Sequence, residues 1–202
     1  MQWMDFIMLN CKKPEMGKFI VLPVLTCLFL FSVLLHAELN NGFIVENAEL
    51  NRDTTEYVLD ADIQFHFSKE VHKALEHGIA LQIDIEIQAM QPRKWLWDKT
   101  IRQVELNQRL EHHPLSNQYL VTDLNTGIKH HFQNLNNALK FLGAIKNYPL
   151  FGLATLKQGK TYTAQIRASL NTESLPTPLK LSAYLASDWQ LASPWFKWTI
   201  PQ

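Results

Sequence analysis

From Tyr57 the chain alternates strictly between apolar and polar positions. Tyr57, Leu59, Ala61, Ile63, Phe65 and Phe67 take one side, and Val58, Asp60, Asp62, Gln64 and His66 the other. A period of two held over this length predicts a half-buried β-strand. Ser68 then supplies the cap of a short helix, Lys69–His77, with Val71, Ala74 and Leu75 turned inward and Gly78 as the stop. Alternation resumes from Ile79, with Leu81, Ile83, Ile85 and Ile87 facing in and Gln82, Asp84, Glu86 and Gln88 facing out. Isoleucine at that density is β-branched packing on a sheet. Gln91-Pro92-Arg93-Lys94 breaks the pattern, and Trp95-Leu96-Trp97-Asp98 leads into a third strand, Thr100 to about His112.

His113–Asn117 reads as a turn, and Tyr119–Asp123 with Ile128–Phe132 as a hairpin around Asn125-Thr126-Gly127. A second helix is predicted over Leu135–Lys146, with Leu135, Leu139, Leu142 and Ile145 on one stripe. Tyr162, Ala164, Ile166, Ala168 and Leu170 mark another strand, and Leu179–Leu185 and Trp195–Ile200 follow the Pro176-Thr177-Pro178 joint as strands. The count, about nine strands and two short α-helices, makes the chain mainly β. Antiparallel hairpins with one wet face favour a β-sandwich-like domain over a parallel sheet, with an open curved sheet or partial barrel as the alternative.

Ahead of this pattern lies Phe19–Leu35, seventeen residues without a charge, preceded by Lys12, Lys13 and Lys18 and followed by Ala37 and polar chain. Basic flank, apolar run and small residue are the parts of a secretory signal. The expected division is therefore a signal peptide or signal anchor over 1–37 and one exported β-rich domain over 38–202. Cleavage after Ala37 places Leu35 three residues back, where a smaller side chain is preferred. An uncleaved run, at the short edge of a bilayer span, tethers the domain in the inner membrane facing the periplasm. Met16 is an alternative start, and Cys27 lies too far inside the run to mark a lipoprotein signal.

Removing residues 1–37 takes away both cysteines, Cys11 and Cys27, so a disulfide framework or thiol nucleophile is excluded from the remaining 165 residues. Those residues carry 16 basic and 17 acidic side chains, a balance that argues against nucleic acid as a partner. No Gly-x-Ser-x-Gly, phosphate-binding glycine loop or calcium-binding loop occurs, and no cofactor is expected.

Eight histidines raise a metal reading, but the pairs His112-His113 and His130-His131 point to opposite faces on strands, and His72 and His77 do not share a helix face. Asp60 and Asp62 share one polar strand face, and Asp84 and Glu86 the next; on neighbouring strands they form a four-carboxylate patch. With His113, that patch is the basis of a metal-dependent hydrolase alternative. Solvated outer faces give the same letters. The aromatic residues are the remaining signal. Trp95 and Trp97, two apart, stand on one face if they lie on a strand, and Trp189, Trp195 and Trp198 crowd the C-terminus. Stacked indoles bind sugar rings or a partner's apolar side chains, whereas core packing is the competing account. Asp188 and Ser193 are expected to bond backbone around the C-terminal turn.

Five stretches carry a family resemblance: Ile44 with Ala48; Trp95-x-Trp97-Asp98; Leu110-x-x-His113-Pro114-Leu115-Ser116-x-Gln118-Tyr119; Leu175-Pro176-x-Pro178-Leu179; and Ser187-Asp188-Trp189-x-Leu191-x-Ser193-x-Trp195. In this order they resemble an exported proteobacterial family, the domain of unknown function 4390, over nearly all of 43–200. The resemblance implies a Gram-negative envelope setting and a partner connected with a sensor-kinase system, and it transfers no activity or catalytic residue. The resulting expectation is a non-enzymatic periplasmic domain that contacts an envelope protein. Its candidate surface comprises Trp95, Trp97, Asp98, His113, Asp188, Trp189, Trp195 and Trp198. A small-molecule or glycan-binding module using the same indoles in a concave sheet is the first alternative.

Overall fold

A computed structural model of the protein describes residues 42–201. The expected segment 1–37 lies outside the described residues. Nine strands form two antiparallel sheets. The smaller has the order β1 (Gly42–Arg52), β2 (Glu56–His66), β7 (Ala144–Gly152). The larger runs β6 (Lys129–Phe132), β5 (Gln118–Asp123), β4 (Lys99–His113), β3 (Leu81–Gln91), β8 (Thr163–Leu170), β9 (Phe196–Thr199). Three helices accompany them: α1 (Lys69–Glu76), α2 (Leu135–Gly143) and α3 (Thr177–Leu185). The mainly β, antiparallel sandwich expected from alternation is the fold.

The two sheets meet through their apolar faces. Leu59, Ala61, Ile63 and Phe65 of β2 join Leu81, Ile83, Ile85 and Ile87 of β3 and Ala164, Ile166 and Ala168 of β8 in one core. Each of the four inward β3 side chains is fully buried, as the period-two reading expects, whereas Asp84, read as facing out, is buried as well. Complete burial of an aliphatic side chain contributes about 1.5–3 kcal/mol, which makes this strand the spine of the domain. Ser68 caps α1 as expected, its Oγ accepting from the Val71 N–H at 3.2 Å. Gly78 ends the helix at φ 80°, a left-handed conformation that suits glycine.

Three expectations are corrected. Leu179–Leu185 is helix α3, not a strand: Pro178 sits in its first turn, and only Ala183 of the helix is buried. The second helix stops at Gly143, and Ile145 belongs to β7, where it pairs with Ala61. Two strands escape period-two reading. β1 carries a bulge between Val45 and Asn47, which moves the buried set from Phe43 and Val45 to Ala48 and Leu50. β7 shifts register twice against β2 and contains Pro149.

The elements divide the domain into two ends. At one end lie His66, α1, the His113–Asn117 turn, Leu170, α3 and the 3-10 turn Ser187–Trp189, and β1 begins there, Gly42 pairing with His66. β3 runs away from it for eleven residues to the opposite end, where it turns into β4. At about 3.4 Å per residue that separation is on the order of 35 Å.

Candidate functional site

The β3–β4 hairpin loop is set by local chemistry. Pro92 has no N–H to donate and stops the ladder after the Gln91–Lys99 pair. Asp98 then closes the loop, its carboxylate accepting from the Arg93 N–H at 3.3 Å. Between these two residues the chain protrudes beyond the last paired position of either strand, so no opposing sheet covers it. Trp95, Leu96 and Trp97 are 94%, 69% and 77% exposed. Both indoles stand in solvent on a loop, which corrects the shared strand face and the core-packing account for this pair. In sequence Arg93, Lys94, Lys99 and Arg102 flank them, against the single acid Asp98 within 92–102, and all five are exposed. A chain with no formal net charge thus concentrates cations at one apolar tip.

The other predicted site residues do not converge on this tip. Trp189 is buried between α1 and α3 at the helical end. Asp188 is exposed beside it, and His113 is exposed at the far end of β4 from the indoles. Trp195 is half-buried, with the Arg167 guanidinium 4.7 Å from its ring centroid. Arg167 also pairs with Glu86, so the indole belongs to a polar row across the outer face of the larger sheet. Trp198 is half-buried, pairs with Ala164 on β9, and packs against Phe196 with centroids 6.0 Å apart. Ser193 bonds backbone as expected, its Oγ accepting from the Ala168 N–H at 3.0 Å.

The carboxylate patch does not form. β2 and β3 lie in different sheets, and their polar faces look out from opposite sides of the sandwich. Each acid has its own structural partner. Asp60 accepts from the Asn147 N–H at 2.9 Å, and Asp62 meets Lys146 Nζ at 3.0 Å. Asp84 accepts from Asn171 at 2.6 Å, while Glu86 holds Arg167. No group of three or more His, Cys, Asp or Glu side chains suited to a metal ion occurs among the described residues. His112 is buried and stacked on Tyr119 with ring centroids 4.6 Å apart, in contact with Asn117 and the Glu76 carbonyl, while His113 faces solvent. The opposed faces expected for this pair are observed.

The helical end carries a second apolar surface that the strand reading of Leu179–Leu185 concealed. A groove of about 580 Å³ lies between α1 and α3, lined by Ala74, Ile79, Pro178, Leu179 and Trp189 among others. No helix among the described residues is long and apolar enough to cross a membrane.

The chain matches no curated protein and no solved structure. A family model, the domain of unknown function DUF4390, matches residues 40–199, which take in both sheets, all three helices and the aromatic hairpin. The chain therefore belongs to the DUF4390 family.

Proposed function

We propose that this is an exported domain of the cell envelope that works by protein contact rather than catalysis, and that the β3–β4 hairpin tip is its contact surface. One observation carries the reading: three consecutive large apolar side chains, Trp95-Leu96-Trp97, are exposed at a tip closed by Asp98 and flanked in sequence by exposed cations. Tryptophan and arginine dominate binding hot spots because they bury large areas and still offer donors. The partner that suits this tip has an apolar pocket with an acidic rim, and complementary charge speeds and orients docking. The apolar run before the domain and its basic flank support the periplasmic setting, and an envelope sensor kinase is the first partner to test. The protruding position of the indoles favours protein contact over sugar binding in a concave sheet.

The test is crosslinking in cells followed by pull-down, comparing the native chain with W95A/W97A in equal amounts and with equal melting temperatures. Loss of the crosslinked partner is expected. Undiminished recovery of that partner by W95A/W97A overturns the assignment.

A further inference from the structure

The charges of the domain are divided unevenly along its length. Residues 42–201 carry sixteen bases and sixteen acids. Three segments reach the hairpin end: the β1–β2 turn, the β3–β4 loop with the start of β4, and the β7–β8 connection. Arg52, Lys157 and Lys160 there join the four cations of the hairpin, against only Asp53, Glu56 and Asp98. Seven bases and three acids leave this end four positive charges in excess, and the rest of the domain four negative.

These cations are also uncommitted. The ion pairs among the described residues join Asp62 to Lys146, Glu86 to Arg167 and Glu76 to His72, all outside this end. Asp98 accepts from the backbone of Arg93 and not from its guanidinium. The side chains of Arg52, Arg93, Lys94, Lys99, Arg102 and Lys157 thus meet no acid among the described residues.

Register places the β7–β8 connection beside the hairpin. β8 is the neighbour of β3, and its first residue, Thr163, pairs with Met90, one residue before the end of β3. Neighbouring strands lie about 4.8 Å apart, so the connection enters the sheet alongside the loop that carries the indoles. Its backbone is pinned: the Lys157 N–H donates to the Tyr162 hydroxyl at 3.0 Å, and Tyr162 is buried. Lys157 itself is exposed, a charge held on a fixed stretch of chain. The β1–β2 turn is tied to the start of the same connection, the Leu153 N–H donating to the Thr55 carbonyl at 3.1 Å.

We propose that the contact surface extends from the indole tip onto the β7–β8 connection at Lys157, and that the partner presents an acidic segment crossing both. This deepens the protein-contact reading above and rests on it. The indoles supply the apolar burial that slows dissociation. The cations steer the encounter and fix which way the bound segment runs. A basic partner surface meets repulsion here from six unpaired cations, whereas an acidic one neutralises them.

The experiment places a benzophenone amino acid at position 157 or 96 of the full chain in cells. The same protein adduct is expected from both positions. Its yield from position 96 should fall when Arg52→Glu and Lys157→Glu are introduced, at an unchanged melting temperature. The purified full chain gives a second readout, the anisotropy of fluorescein-labelled poly-L-glutamate. Binding is expected in low salt, lost in high salt, and weakened on the order of tenfold by the same two substitutions. An adduct from 96 with none from 157, or an undiminished yield after charge reversal, overturns the wider surface and leaves the indole tip as the contact. Lipid adducts in place of protein at 157, no binding of polyglutamate, or binding indifferent to charge reversal overturns the acidic segment. Absence of any adduct from 96 in the native chain removes the tip reading and this inference with it.

Discussion

Replacing Gly143 by alanine tests how the helix is fitted to the sheet. Gly143 ends α2 where the helix lies closest to β2. A Cβ there would stand 2.0 Å from the carbonyl oxygen of Ile63 and 3.3 Å from the Phe65 ring. Non-bonded atoms settle near 3.5–4.0 Å, so the helix end must retreat by more than about an ångström. The obstructing oxygen is strand backbone and moves little, because Ile63 is paired with Val45 of β1 and the ladder to β7 ends only one residue before it, at Asp62. Retreat also loosens Ala138 and Leu142, both fully buried. Overpacking of this kind costs about 1–3 kcal/mol, and backbone as the obstacle puts G143A at the upper end of that range. A domain of this size loses about 2–4 °C per kcal/mol, hence roughly 6–12 °C for G143A. Thermal melting followed by circular dichroism reads the shift. Gly127→Ala is the comparison: nothing lies within 4 Å of its added Cβ, and only its φ of 77° resists the change, at about 1 kcal/mol. G143A melting within about 2 °C of the native chain, or no worse than G127A, refutes the reasoning.

Ser68→Ala removes the buried cap of α1 and is expected to cost about 1 kcal/mol in urea unfolding; no change in midpoint dismisses the cap. Leu75→Ala empties a fully buried position beneath the same helix, and a loss of about 2–5 kcal/mol is expected, with less than about 1 kcal/mol contradicting its place in the core. Arg167 and Glu86 are partly exposed, so a double-mutant cycle with Arg167→Leu and Glu86→Gln should give a coupling of only about 0.5–1 kcal/mol. A coupling several times larger would show that the pair is shielded from water. Trp95→Ala and Trp97→Ala leave both sheets untouched and should change stability by less than about 0.5 kcal/mol each; a large loss would mean that the indoles pack against the domain.

Legibility in the sequence followed regularity of packing. β3 keeps one phase along its length, and its isoleucines announce both the strand and its buried face. β1 loses phase at the bulge after Val45. β7 is a distorted edge strand with Asn147 at φ 49° and Pro149 inside it, so neither strand produces a sustained period of two. α3 misleads for a different reason: Leu179, Leu181, Ala183 and Leu185 alternate as a strand does, but Leu181 and Leu185 are exposed. Pattern reading takes apolar residues for core residues, and it fails where they serve a surface instead. The same limit applies at Trp95 and Trp97. Their spacing on a supposed strand was immaterial, whereas Pro92, Asp98 and the surrounding Arg93, Lys94 and Lys99 are the visible signs of a closed, basic, protruding loop. The carboxylate patch failed on topology, since adjacency in sequence does not tell that β2 and β3 belong to different sheets.

The contact assigned to the hairpin is reached most directly by photocrosslinking in living cells, with a benzophenone amino acid placed at Leu96 in the tip or at the exposed Lys129 of β6. A discrete adduct from position 96, absent from position 129 and lost when Trp95 and Trp97 are replaced by alanine, is the predicted result. No adduct at 96, or the same adducts from both positions, would contradict the assignment.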